Sequence, residues 1–200
     1  MRRKLITFFL FVLLASACTP LATESTSSRF QGTELSSPVP KPEFILTDTD
    51  GATFDFRTET EGKLTLLFFG YTFCPDVCPV QLAQLDAVFE QLPEVKRDSV
   101  VVFVTVDPDR DTPEVLRAWL DNFDPGFVGL TGTAEEIETA ERAAGIPVAT
   151  RIGDGPDYTM GHGGQVLAYA PDGLSYTIYT FGTRQTQWVH DLPILLQQQG

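Results

Sequence analysis

Two stretches in the body of the chain are almost wholly apolar. Leu64-Thr65-Leu66-Leu67-Phe68-Phe69 and the run from Val100 to Val106 (VVVFVTV) each read as a strand buried on both faces. Between them the period changes. From Val80 to Phe89 the positions Leu82, Leu85 and Phe89 fall on one helical face. Asp111-Thr112-Pro113 opens a second helix, with Thr112 as N-cap and Pro113 at the first helical position, running through Trp119 to about Asn122. Phe127 to Leu130 is a short strand. Thr133 caps a third helix that runs through Ala144 and stops at Gly145 and Pro147. Upstream, Phe44-Ile45-Leu46 and Thr53 to Phe56 flank Asp48-Thr49-Asp50-Gly51, a small β-hairpin. Downstream, Gln165–Ala170 and Ser175–Thr180 are strands joined by the turn Pro171-Asp172-Gly173. An amphipathic helix from about Gln185 to Gln198 closes the chain. This order predicts an α/β fold: a central mixed sheet flanked by helices, parallel in the middle and antiparallel at one edge.

The first forty residues follow none of these periods. Arg2, Arg3 and Lys4 precede an apolar stretch from Leu5 to Leu14, broken only by Thr7, and then Ala15, Ser16 and Ala17. That is the order of a secretory signal, and the stretch is too short for a span that needs about 20 apolar residues. Ala15-Ser16-Ala17 suits ordinary signal peptidase, while Leu14-Ala15-Ser16-Ala17-Cys18 resembles a bacterial lipoprotein box; on the second reading residues 1–17 are a lipoprotein-type signal with Cys18 lipidated as the mature N-terminus. The mature protein is then exported and membrane-anchored, facing the periplasm or cell exterior, where disulfides persist. Residues 18–40 are rich in Ser, Thr and Pro and read as a flexible tether to a domain at 41–200.

Composition narrows the chemistry. Hydrophobic residues make up 42% of the 200, too many for a disordered chain. The net charge is -13, and loss of the three cations of the signal leaves -16. Phosphate neutralisation needs surplus Lys and Arg, so nucleic acid is not an expected partner. Cys18, Cys74 and Cys78 are the only cysteines, too few for a disulfide scaffold.

Cys74-Pro75-Asp76-Val77-Cys78-Pro79 lies between a central strand and a helix, where α/β sheets bind ligands and where helix N–H groups lower the pKa of a thiol. One turn can bring both sulfurs to one side, and Pro79 suits the first helical position. Two such thiolates suit Cu(I), Zn(II) or a reversible disulfide. A bridge across so short a loop would restrict little chain entropy, which speaks against a purely structural role. Thioredoxin-like redox enzymes carry a Pro before the strand opposite their cysteines. Here the segment Tyr158-Thr159-Met160-Gly161-His162-Gly163-Gly164 offers His162 instead, flanked by glycines that allow close approach. His190 reads as a helix-surface or packing residue, and Met160 as a residue packed on the core. Asp107, Asp109, Arg110 and Asp111 follow the second central strand. A carboxylate or guanidinium there can tune the thiols or dock a partner; Asp109 and Asp111 read as loop and cap residues.

Phe69-Gly70-Tyr71-Thr72-Phe73-Cys74-Pro75-Asp76-Val77-Cys78-Pro79 resembles the copper motif of the Sco/SenC family. Val104-Thr105-Val106-Asp107-Pro108-Asp109-Arg110-Asp111-Thr112-Pro113 resembles its second motif. His162 matches its ligand histidine, although Gly161 stands where the family usually has Asp. The similarity covers roughly residues 40–198. The resemblance implies a thioredoxin-like fold that binds one copper through Cys74, Cys78 and His162. It implies assembly of the dinuclear copper centre of cytochrome c oxidase, by copper delivery to the copper-accepting subunit, by reduction of its cysteines, or both. Other periplasmic copper or thiol carriers are expected partners. A thiol-disulfide oxidoreductase without a metal role and a peroxidase-like enzyme are the competing readings. The set of two cysteines and a distant histidine favours the metal site, because a dithiol enzyme needs no such histidine.

Overall fold

The computed structural model describes residues 28–199, so the signal, Cys18 and the first part of the tether lie outside the described residues. The core of the sheet is β4 (Leu64–Gly70), buried along its whole length, with β5 (Ser99–Thr105) parallel to it from Leu64↔Ser99 to Gly70↔Thr105. β6 (Val128–Thr131) continues the parallel set beyond β5. On the other side β9 (Val166–Tyr169) runs antiparallel to β4, and β10 (Leu174–Tyr179) antiparallel to β9. The hairpin of β2 (Ile45–Asp48) and β3 (Thr53–Asp55) is not free-standing. β2 pairs antiparallel with β6 through Thr47↔Thr131 and Asp48↔Leu130. The eight-stranded order is β1-β10-β9-β4-β5-β6-β2-β3, where β1 is Thr33–Pro40. The sheet is therefore antiparallel at both edges rather than one, because the hairpin supplies an edge partner to β6.

β1 corrects the expectation of a flexible tether as far as residue 40. Thr33–Pro40 pairs antiparallel with β10, from Thr33↔Ile178 to Pro40↔Leu174. Phe30 before it is buried in the core. The buried carboxylate of Asp191 accepts hydrogen bonds from the N–H groups of Gln31 and Gly32 and from the Tyr179 hydroxyl.

Helices flank this sheet. After the single turn α1 (Phe56–Glu59) come α2 (Val77–Gln91) and α3 (Pro93–Arg97), then α4 (Pro113–Leu120), α5 (Ala134–Ala143) and α6 (Gln185–Leu196). Thr112 accepts from the N–H of Val115 with Pro113 at the first position of α4, as the sequence predicts. Thr133 and Glu136 form a capping box on α5, and Gly145 ends it at φ +70°. α6 docks Trp188 on Tyr179 with ring centroids 3.7 Å apart. A second sheet was not foreseen: β7 (Thr150–Ile152) and β8 (Thr159–Gly161) form a short antiparallel pair, and β8 leads directly into His162.

Candidate metal centre

The cysteine loop begins where β4 stops. Val106 donates to the Gly70 carbonyl, holding the ends of β4 and β5 together, and Cys74 donates to the Tyr71 carbonyl to close a tight turn. Thr72 is gripped from below. Its N–H and its hydroxyl both donate to the Asp111 carboxylate, at 2.9 and 2.5 Å, and the Thr105 hydroxyl donates to the same group at 2.6 Å. Asp111 is fully buried, and desolvation pushes its carboxyl above the ordinary range against those three hydrogen bonds. The loop-and-cap reading of Asp111 is corrected: it is the anchor of the cysteine loop, while Asp109 stays exposed. Asp107 and Arg110 form an ion pair beside it.

α2 starts at Val77, so Cys78 lies inside its first turn and Pro79 is its third residue rather than its first. Pro is tolerated there because the first N–H groups of a helix lack partners in any case. One of those free donors, the Cys78 N–H, points at Cys74 Sγ from 3.4 Å. The Cys74 thiol is held well below the ordinary thiol range by a side-chain hydrogen bond with Cys78, and burial opposes this. His162 and the N–H groups of Asp76 and Cys78 add to the depression. Cys78 is pushed the other way, first by its bond to Cys74 and then by burial. Cys74 is 9% exposed and Cys78 is not exposed at all. Within the reduced pair Cys74 is thereby the more acidic thiol and Cys78 the less acidic.

His162 arrives from β8. Its Nδ1 lies 3.1 Å from the Gly163 carbonyl, which can only accept, so Nδ1 carries a hydrogen and Nε2 is the ring nitrogen that faces the sulfurs. Nε2 is 3.7 Å from Cys78 Sγ. The ring stands edge-on to Tyr71 at 5.6 Å. The two sulfurs and the imidazole nitrogen all lie within 4.8 Å of one another, and both cysteines are free thiols. This donor set fits a soft ion: two thiolates and one imidazole make a three-coordinate site, and the two thiols alone can close a disulfide.

His190 is not part of this group; its half-exposed ring pairs with Asp191 at 2.7 Å. Met160 packs against the core, as expected.

Two residues that sequence reasoning passed over shape the site. A Cβ on Gly70 would sit 2.8 Å from Cys78 Sγ and 2.8 Å from the Phe103 ring, so a side chain there would push the sulfur or the ring aside. A glycine closing an apolar strand next to a cysteine loop is the signal that could have found it. Gln81, buried on α2, donates to the Gly164 carbonyl at 3.2 Å and ties the helix to the histidine loop. Its helical period alone marks it as an ordinary polar position.

The sequence matches the SCO1/SenC family profile over residues 33–197. A Stutzerimonas stutzeri protein named for copper binding is 36% identical over 168 residues, covering 81% of each chain. Among solved structures, copper-bound ScoI of Bradyrhizobium japonicum is 31% identical with a TM-score of 0.71, covering 79% of this chain and all of that one. Apo Sco1 of Thermus thermophilus is 34% identical with a TM-score of 0.74, covering 84% and 97%. Profile, relative and structures agree with the fold: the chain belongs to the Sco/SenC family, and its fold is thioredoxin-like.

Proposed function

We propose that this protein binds one copper ion through Cys74, Cys78 and His162 and serves assembly of the dinuclear copper centre of cytochrome c oxidase, with the copper-accepting subunit as its partner. The observation that carries the reading is the convergence of two sulfurs and one imidazole nitrogen within 4.8 Å at the end of β4. Thiolates select a soft ion, and the added imidazole lets the same site hold Cu(II) as well as Cu(I). Copper-bound relatives of the same fold support the choice of metal. Residues 1–17 act as a lipoprotein signal, and lipid on Cys18 holds the domain at the membrane, where periplasmic copper or thiol carriers reach it.

The same pair supports a second reaction on an oxidised partner, because the two thiols differ in exposure and acidity. The Cys74 thiolate attacks one sulfur of a partner disulfide, and the other partner sulfur leaves as a thiolate. Cys78 then gives up its proton and attacks Cys74 Sγ, releasing the second partner thiol. The partner gains two electrons and the Cys78 proton from this chain, its other thiolate takes a proton from solvent, and this chain ends with a Cys74–Cys78 disulfide. That disulfide cannot coordinate copper, since the metal needs free thiolates.

Copper titration of the mature chain tests the proposal. The reduced protein takes up one equivalent and the oxidised protein none. Cys74→Ala and Cys78→Ala each lose more affinity than the roughly 10–100-fold that changes outside the ligand set cost. Stoichiometric, full-affinity binding in either variant overturns the site. Equal binding by the oxidised and reduced chains overturns the switch.

A further inference from the structure

The segment Val104–Pro113 bridges both halves of the site. Asp111 holds the cysteine loop through Thr72. Thr105 joins that carboxylate to the backbone of Asp107, its hydroxyl donating to Asp111 and accepting from the backbone N–H of Asp107. Asp107 then faces the other way. One of its oxygens accepts from the Tyr158 hydroxyl at 2.5 Å and the other from Arg110 Nε at 2.6 Å.

Arg110 completes the connection. Its Nη1 donates to the Tyr158 carbonyl at 3.0 Å and to the Pro156 carbonyl at 3.3 Å. Its guanidinium carbon lies 3.5 Å from the centre of the Tyr158 ring and 4.7 Å from the centre of Phe73, the residue before Cys74. Nη2 has no hydrogen-bond partner and is buried, a cost that stacking on two rings offsets. Tyr158 immediately precedes β8, and β8 ends one residue before His162. The guanidinium thus touches the cysteine loop with one aromatic contact and fixes the start of the histidine arm with two hydrogen bonds.

We infer that Arg110 is the positioning residue for His162, setting the distance between the imidazole and the two sulfurs. The inference rests on the copper reading of Cys74, Cys78 and His162. Its consequence is selective. Two thiolates satisfy Cu(I) in near-linear geometry, whereas Cu(II) needs the imidazole. A loosened histidine arm therefore weakens Cu(II) and spares Cu(I). Lysine cannot replace Arg110: it keeps the charge but loses the planar fork that serves Asp107 and two carbonyls together.

The test compares Arg110→Ala, Arg110→Lys and His162→Ala in the mature chain. In copper-free protein, both Arg110 variants raise amide hydrogen exchange across residues 156–164, with the β4–β5 core unchanged. Both weaken Cu(II) about tenfold or more, the range of outer-shell effects, and shift its thiolate charge-transfer absorption toward that of His162→Ala. Cu(I) affinity stays at the wild-type value. If His162→Ala alters the Cu(II) spectrum while both Arg110 variants keep the wild-type spectrum and exchange, the inference falls and the ligand assignment stands. Equal loss of Cu(I) and Cu(II) in Arg110→Lys also overturns it, because the residue would then be a general staple of the fold. A His162→Ala protein with an unaltered Cu(II) spectrum overturns the ligand assignment, and the inference with it.

Discussion

The cysteine half and the histidine half of the site are built differently. Cys74 and Cys78 sit at the junction of β4 and α2, on a strand buried along its whole length. Their sulfurs are fixed by a helix N–H, by the Asp111 anchor and by the space that Gly70 leaves. His162 is half-buried at the end of a three-residue strand whose partner, β7, is exposed at every position. Its approach is set by side chains reaching backbone carbonyls, Arg110 on one flank and Gln81 on the other. Core packing makes one half rigid, and a few polar contacts set the other. On the proposed ligand set, a copper ion that changes oxidation state changes its donor number, and the change falls on the histidine half.

Two glycines put the contrast to the sharpest test. In Gly70→Ala the new methyl group lies 2.8 Å from Cys78 Sγ and 2.8 Å from the Phe103 ring, both fully buried, so one of them must shift. Overpacking of this kind costs about 1–3 kcal/mol of stability, and displacement of the sulfur removes tight binding of both copper states. In Gly164→Ala the nearest atom is Val77 Cγ1 at 3.2 Å, so a small shift accommodates it. That variant keeps its melting temperature and its Cu(I) affinity, and loses only a few-fold in Cu(II) affinity. Thermal melts with paired titrations check both. Equal damage from the two substitutions would erase the distinction between the halves.

A smaller effect separates the two thiols within the rigid half. Cys74 is depressed by its bond to Cys78, so its thiolate survives as pH falls below the ordinary thiol value of about 8.5. Cys78 is raised, so in the reduced pair it is the slower thiol to react with an external reagent across the neutral range. Alkylation of the reduced, copper-free chain therefore modifies Cys74 first, at a rate nearly constant between pH 8 and 6, where an ordinary thiol slows about tenfold per unit. Mass mapping of the product at each pH reads this. First modification of Cys78, or an ordinary pH slope at Cys74, would contradict the polarity of the pair.

The contrast also explains what the sequence disclosed. The cysteine half was legible because packing writes itself into pattern: the apolar run of β4, the helical spacing after Val80 and the Thr112-Pro113 start all point to the elements found. His162 was legible through its chemistry and its place before a strand. Its supports were not. β7 and β8 bury little, so no alternation marks them, and Arg110 reaches carbonyls 46 and 48 residues away. β1 was hidden for the same reason. Seven of its eight residues are exposed, it is held to β10 by backbone pairing, and its prolines are tolerated at a sheet edge. Asp111 looked like a cap from its neighbours, and only the fold brings Thr72 to it from 39 residues away.

X-ray absorption at the copper edge of the mature, copper-loaded chain reads the ligand set directly. The Cu(II) form shows two sulfur donors and one imidazole nitrogen, and the nitrogen signal disappears in His162→Ala while both sulfurs remain. A shell without sulfur, or an imidazole signal that persists in His162→Ala and is lost in His190→Ala, would contradict the site assembled from Cys74, Cys78 and His162.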